Sequence, residues 1–218
     1  MADSPYYRRR VWDPVVRILH WWMAVTLLVQ IALAGVILSE EALGLSEAGE
    51  HGLVTVHAVF GFAFGAGLLV RLVWLFRAPG SGSWRDLIPV TGARWRTVGA
   101  TARHYLSGFR GEGPFYRAHN PLAGIVYALF FVVAVIQIGT GAGLFTIGED
   151  TLGEAWEEIH EVGFWLIVAF VVAHLVMVAG HEIKERRSIV SAMINGRKHF
   201  TEQELTDHPE AQSEEEIR

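Results

Sequence analysis

The chain has 218 residues, of which 51% are hydrophobic and only 19% charged, with a formal net charge of −5 and no cysteine. A soluble domain carries about 25% charged residues; the depletion here, with a mean hydropathy of +0.30 and four charge-free stretches of 20 or more residues, excludes a soluble globular protein and a nucleic-acid binder. The absence of cysteine excludes a disulfide, a thiolate nucleophile, a cysteine-held iron–sulfur cluster and a thioether-attached haem, so cofactor chemistry must rest on carboxylates and the ten histidines.

Residues 1–14 form a basic N-terminal segment with Arg8, Arg9 and Arg10. An apolar run follows, as in a signal peptide, but it is too long for an h-region and no A-x-A-like site closes it. Four stretches lack Asp, Glu, Lys and Arg altogether: Ile18–Ser39, His51–Val70, Ala118–Gly148 and Val162–His181, of 22, 20, 31 and 20 residues. Each reaches the roughly 20 helical residues that cross a ~30 Å hydrocarbon core. They predict spanning helices over Val15–Leu38, Leu53–Phe76, Asn120–Ile147 and Trp156–His181, a membrane domain over 15–182. Asn120-Pro121 gives the third helix an N-cap followed by a first-turn proline. Trp12, Trp74 and Trp156 fall near helix ends and read as interface anchors. Residues 183–218 form the tail, and Thr201–Arg218, with seven acids against one arginine, reads as a solvated end.

Orientation follows from the basic residues. The N-terminal segment through Arg17, the loop near 77–118 and the tail hold 17 of the 18 Lys and Arg; the other two loops hold none. The positive-inside rule then predicts an all-α membrane protein, a four-transmembrane-helix bundle with both termini cytoplasmic. This sorting explains the arginine-rich loop without an RNA or lipid ligand. The opposite face carries ten acids and no Lys or Arg.

Ionisable side chains at membrane depth are expensive and point to function. His20, His57, His160 and His174 all lie within the spanning segments. His160 and His174 are 14 residues apart, which leaves them about 40° from a common line on the helix and about 21 Å apart along it. By depth, His20 matches His174 near the basic side and His57 matches His160 near the other. Two histidines facing each other across a bundle are axial ligands for a six-coordinate haem b, which has no open position for O₂; two such pairs predict two haems and an electron path across the bilayer. Arg71 stands 14 residues after His57, and Arg17 one turn before His20; both are candidates for the haem propionates. His181, seven residues after His174, shares its face and is the alternative ligand if the helix is registered deeper. Its neighbours Glu182 and Lys184 place it at the interface. Gly35, Gly61, Gly65, Gly139, Gly141, Gly143 and Gly163 allow close helix packing and leave space for a flat cofactor.

These residues resemble a known family. The opening Val11-Trp12-Asp13-Pro14-Val15-Val16-Arg17-Ile18-Leu19-His20-Trp21, then His57 with Gly61 and Arg71, then His119-Asn120-Pro121-Leu122, then His160 and His174, look like the bacterial cytochrome b561 and nickel-hydrogenase cytochrome b family over about residues 8–200. The resemblance implies a dihaem protein of the bacterial inner membrane, with His20, His57, His160 and His174 as haem-iron ligands. It also implies electron exchange between a quinone pool and a redox partner such as a periplasmic enzyme or cytochrome. No motif fixes the quinone-site residues. The alternatives are a stand-alone quinol or superoxide oxidoreductase of the same fold, a passive membrane anchor, and a histidine-lined metal or proton transporter. A transporter calls for mid-depth carboxylates and broken helices, and the sequence shows neither.

Overall fold

A computed structural model describes residues 6–111, 113–185 and 189–209. Four long helices dominate it: α1 (Pro14–Ile37), α3 (Glu47–Arg77), α6 (Pro121–Thr146) and α8 (Glu154–Gly180). All four have the length and apolarity to cross a membrane. Their outward faces are apolar: Ile18, Val59, Leu69, Phe76 and Val176 are all largely exposed, as lipid contact requires. Short helices connect them: α2 (Glu40–Leu43) and α7 (Glu149–Leu152) at one end, α4 (Trp84–Leu87) and α5 (Gly92–Leu106) at the other.

The ends of the helices follow local chemistry. Asp13 caps α1, its Oδ1 accepting from the backbone N–H groups of Val15 and Val16 at 2.7 and 3.2 Å. Asn120 caps α6 as expected, its Oδ1 accepting from Leu122 at 2.9 Å. α3 begins six residues before the expected start. Glu47 and Glu50 lie in its first turn, where the helix dipole favours acids, so the helix continues past its apolar part. After Gly180 the fourth helix widens into one π turn, His181–Glu185.

The two flanking segments are not simple tails. Strand β1 (Tyr6–Arg10) pairs antiparallel with β2 (Arg197–Thr201), matching Tyr7 with Phe200 and Arg9 with Lys198. Gly196, at φ +81°, ends α9 (Ile189–Asn195) and turns the chain into β2, and its carbonyl accepts from Val11 and Trp12. The solvated reading of Thr201–Arg218 is corrected over 201–209. Thr201 and Glu204 form a reciprocal capping box that starts α10 (Glu202–Asp207), and Leu205 is buried. It joins Val11, Ala118 and Phe200 in one apolar cluster. The acids from Glu210 onward lie outside the described residues. Lys198 is almost fully buried; its Nζ donates to the carbonyl of Tyr116 at 3.0 Å and lies over the Tyr116 ring.

Contacts divide the chain into two compact units. One comprises Leu19–Leu72 and Phe130–Val172; the other comprises Met1–Ile18, Val73–Leu129 and Ala173–Arg218. The first has a core of Phe64, Leu68 and Ala134. Within it Trp22 donates to the carbonyl of Ala63 at 2.8 Å. That contact needs Gly67, because a Cβ there would meet the Trp22 ring.

Candidate functional site

Within the unit of Leu19–Leu72 and Phe130–Val172 lies a cavity of about 390 Å³, in the range of about 300–1,000 Å³ usual for cofactor sites. Apolar side chains, among them Leu27, Ile31, Phe64, Ile138, Phe164 and Ile167, form most of its wall, and Glu149, Glu157 and Glu161 also line it. Its other polar groups are His57, His160, Gln30 and Gln137.

His57 on α3 and His160 on α8 face each other with ring centroids 6.3 Å apart and planes at 80°. Thr140 on α6 orients His160, its Oγ1 lying 2.9 Å from Nδ1. The same hydroxyl is 3.0 Å from the Ile136 carbonyl and 3.2 Å from that of Gln137. If its hydrogen goes to one of these carbonyls, the hydroxyl accepts from His160 Nδ1–H and the ring's lone pair is on Nε2. Gln137 Nε2 donates to the His160 carbonyl at 2.9 Å. Gly141 makes room for the ring: a Cβ there would stand 2.7 Å from His160 Cε1. Gly61 does the same for Gln30, and Gly163 for Gln137. His57 Nδ1 and the Oε1 atoms of Gln30 and Gln137 are buried without a protein partner.

The remaining expected residues are placed individually. His20, half-buried, lies edge-on to Trp21 at 5.2 Å. His174 lies 6.1 Å from the ring of Tyr127 on α6. His20 and His174 belong to different units. Arg71 is 4% exposed and stands 6.0 Å from the centroid of Phe131. Arg17 is held by the chain itself, its Nη1 donating to the Ile194 carbonyl at 2.6 Å. His181 is buried, and its Nε2 is 2.9 Å from the Tyr105 hydroxyl, which accepts from Asn120 Nδ2.

Sequence reasoning missed Gln30, Gln137 and Thr140, because a search for ionisable groups passes over neutral ones; polar side chains in charge-free helices were the available signal. It also missed Asp86. The Asp86 Oδ2 accepts from His119 Nδ1 at 2.6 Å, and its Oδ1 lies 3.7 Å from Arg94 Nη1. Burial pushes this carboxyl up. The His119 hydrogen bond and the charges of His119 and Arg94 outweigh that and hold it below its ordinary value.

A family model described as prokaryotic cytochrome b561 matches residues 11–196. The chain belongs to the prokaryotic cytochrome b561 family. It is 30% identical to the probable Ni/Fe-hydrogenase B-type cytochrome subunit of Cupriavidus necator, over 87% of this chain and 86% of that one. It is 29% identical to the probable Ni/Fe-hydrogenase 1 B-type cytochrome subunit of Escherichia coli strain K12, over 85% and 88%. No solved structure matches it. With its four apolar helices, this cytochrome is a multi-pass transmembrane protein of electron transport, and its cofactor is haem b.

The cavity suits such a group. Metal–imidazole bonds are about 2 Å long, so two of them and two half-rings fill a centroid separation of 6.3 Å. His160 keeps Nε2 for a metal, because Nδ1 meets Thr140. Its Nδ1 bond to Thr140 is the outer-shell contact that fixes a ligand's tautomer and direction.

Proposed function

We propose that this cytochrome carries electrons across the bacterial inner membrane through two b-type haems, between the quinone pool and a redox enzyme on the periplasmic side. The His57–His160 pair carries the reading: two imidazoles face each other across an apolar cavity at a separation suited to one metal. His57 and His160 would hold the haem, and when bound it would supply a one-electron iron couple. The chain's own residues do the positioning. Thr140 fixes the direction of His160, Gly141 leaves its ring in place, and apolar side chains form most of the wall.

The second pair in this reading is His20 with His174, supported by the 14-residue spacing from His160 and by matched depth. Tyr105 already engages Nε2 of His181, which favours His174 over His181 as ligand. Arg71, buried at membrane depth, supplies a cation for a propionate. Arg17 offers only the donors that its bond to Ile194 leaves. The basic residues of the loop and tail support a reading with both termini in the cytoplasm. The acids of the other face, Glu149, Glu157 and Glu161 at the cavity among them, steer a partner with a basic patch and make its association salt-dependent. The names of the relatives point to a hydrogenase-type enzyme as that partner.

Pyridine haemochrome assay tests the reading, with two haems per chain expected. Alanine at His57 or His160 removes one haem, and alanine at His20 or His174 removes the other, as resolved by redox titration. A content near zero overturns the cytochrome site. If His57→Ala and His174→Ala act on the same haem, the pairing is wrong.

A further inference from the structure

A second cavity, of about 380 Å³, lies in the other unit, and its wall carries Arg85, Arg94 and Arg117 with Ser81, Ser83 and Asp86. We propose that it is a phosphate-group site, which takes the headgroup of an anionic phospholipid from the leaflet at the basic-loop end.

Charge is the first argument. Arg85, Arg94 and Arg117 line the cavity with one carboxylate, Asp86, which is already shared between Arg94 and His119. Arg85 lies over the Trp84 ring at 5.1 Å and is otherwise exposed. Guanidinium groups pair with phosphate oxygens through several parallel N–H donors.

The hydroxyls are the second argument. Ser81 Oγ accepts from the Asp13 backbone at 3.0 Å, and Ser83 Oγ accepts from the Arg85 backbone at 3.3 Å. Both oxygens are fixed by N–H groups, so each keeps its own hydrogen to donate. Hydroxyl and guanidinium donors on one cavity wall match a phosphate group's several acceptor oxygens.

Position makes the anion's source a lipid. Val11 is three residues before α1, Ala78 directly follows α3, and Arg117 is four residues before α6. The wall is therefore built where three spanning helices end. Trp84 adjoins the site and Trp95 on α5 is 55% exposed; tryptophan concentrates at headgroup level. Basic pockets at this level hold anionic headgroups, and the membrane concentrates the ligand there. Positive-inside sorting accounts for the arginines being on one side of the membrane. It does not account for their gathering with two oriented hydroxyls around one cavity.

The test uses the full chain in detergent, with phosphatidylglycerol and inorganic phosphate as probes and retention read by native mass spectrometry. Each arginine near an anionic surface contributes about a fivefold change in affinity. Arg85→Gln should weaken phosphatidylglycerol retention about fivefold, and Arg85→Gln/Arg117→Gln about thirtyfold; Arg85→Lys should keep most of it. Thermal melts show that the variants remain folded, and Arg85, being exposed, is the safe position if Arg117 is not. Retention that inorganic phosphate does not displace assigns the site to lipid. Displacement at equal affinity keeps the phosphate site and assigns it to the free ion. Equal retention by wild type, Arg85→Gln and the double variant overturns the proposal.

Discussion

Around His160 one ring nitrogen is bonded to the neutral hydroxyl of Thr140 and the other faces an apolar cavity. Around His119 a ring nitrogen is 2.6 Å from the Asp86 carboxylate, and around His181 Nε2 meets the Tyr105 hydroxyl. The same side chain serves two ends. A neutral hydroxyl acceptor orients an imidazole and leaves it uncharged, the form that ligates a metal. A carboxylate or a tyrosine–asparagine chain ties the ring into a polar network that joins α4, α5 and the start of α6. The first arrangement leaves buried polar atoms without a protein partner on His57, Gln30 and Gln137, and the second leaves Arg94 Nε so. Such atoms are normally satisfied by something other than protein.

The largest test of this contrast is at Gly141. Gly141→Leu puts a side chain where even a Cβ lies 2.7 Å from His160 Cε1, and overpacking of this kind forces side chains off their rotamers. The variant should lose the haem proposed for His57 and His160 and keep the one proposed for His20 and His174, as read by haem content and redox titration. Retention of both haems would mean that the ring does not need its present position.

A smaller effect is expected at Thr140. Thr140→Val keeps the shape and removes the acceptor for His160 Nδ1–H. Loss of an outer-shell partner lowers affinity about 10–100-fold. Haemin titration of the apoprotein should show that loss at one site, with a shift in one midpoint potential. A change at both sites or at neither would break the link between Thr140 and a single haem.

The smallest effect belongs to the polar network. Asp86→Asn should leave both haem spectra unchanged and lower stability by about 1–3 kcal/mol, the cost of stranding buried partners. The carboxyl is held below its ordinary value, so its contribution is complete above the unfolded-state pKa of about 3.9. That contribution is lost as pH falls through the lower folded-state value. Melting curves of wild type and variant should differ by a constant amount from pH 6 to about 5 and converge below about 4. A gap that widens in acid would reverse the assigned direction.

Much of this was legible in the residues. Four charge-free stretches declare four spanning helices, because a charge at the bilayer centre is too costly to be left to chance. Asn120-Pro121 marks a helix start through local hydrogen bonding alone. The start of α3 was less legible: apolarity marks where a helix enters lipid, while Glu47 and Glu50 extend it into water. The pairing of β1 with β2 was not legible. Five-residue strands nearly 190 positions apart carry no local signal, and arginine-rich segments do not read as strands.

The sequence by itself determined the membrane class, the number of spanning helices, the charge asymmetry and the four membrane histidines. These follow from composition and from periodicity along a single helix. Tertiary structure decided which neutral groups touch those histidines. Thr140 meets His160, and Gly141 clears its ring, only because α6 packs beside α8. Tertiary structure also decided that Arg85, Arg94 and Arg117 gather around one cavity. Contacts of this kind join residues from separate elements, and no spacing along the chain encodes their distance.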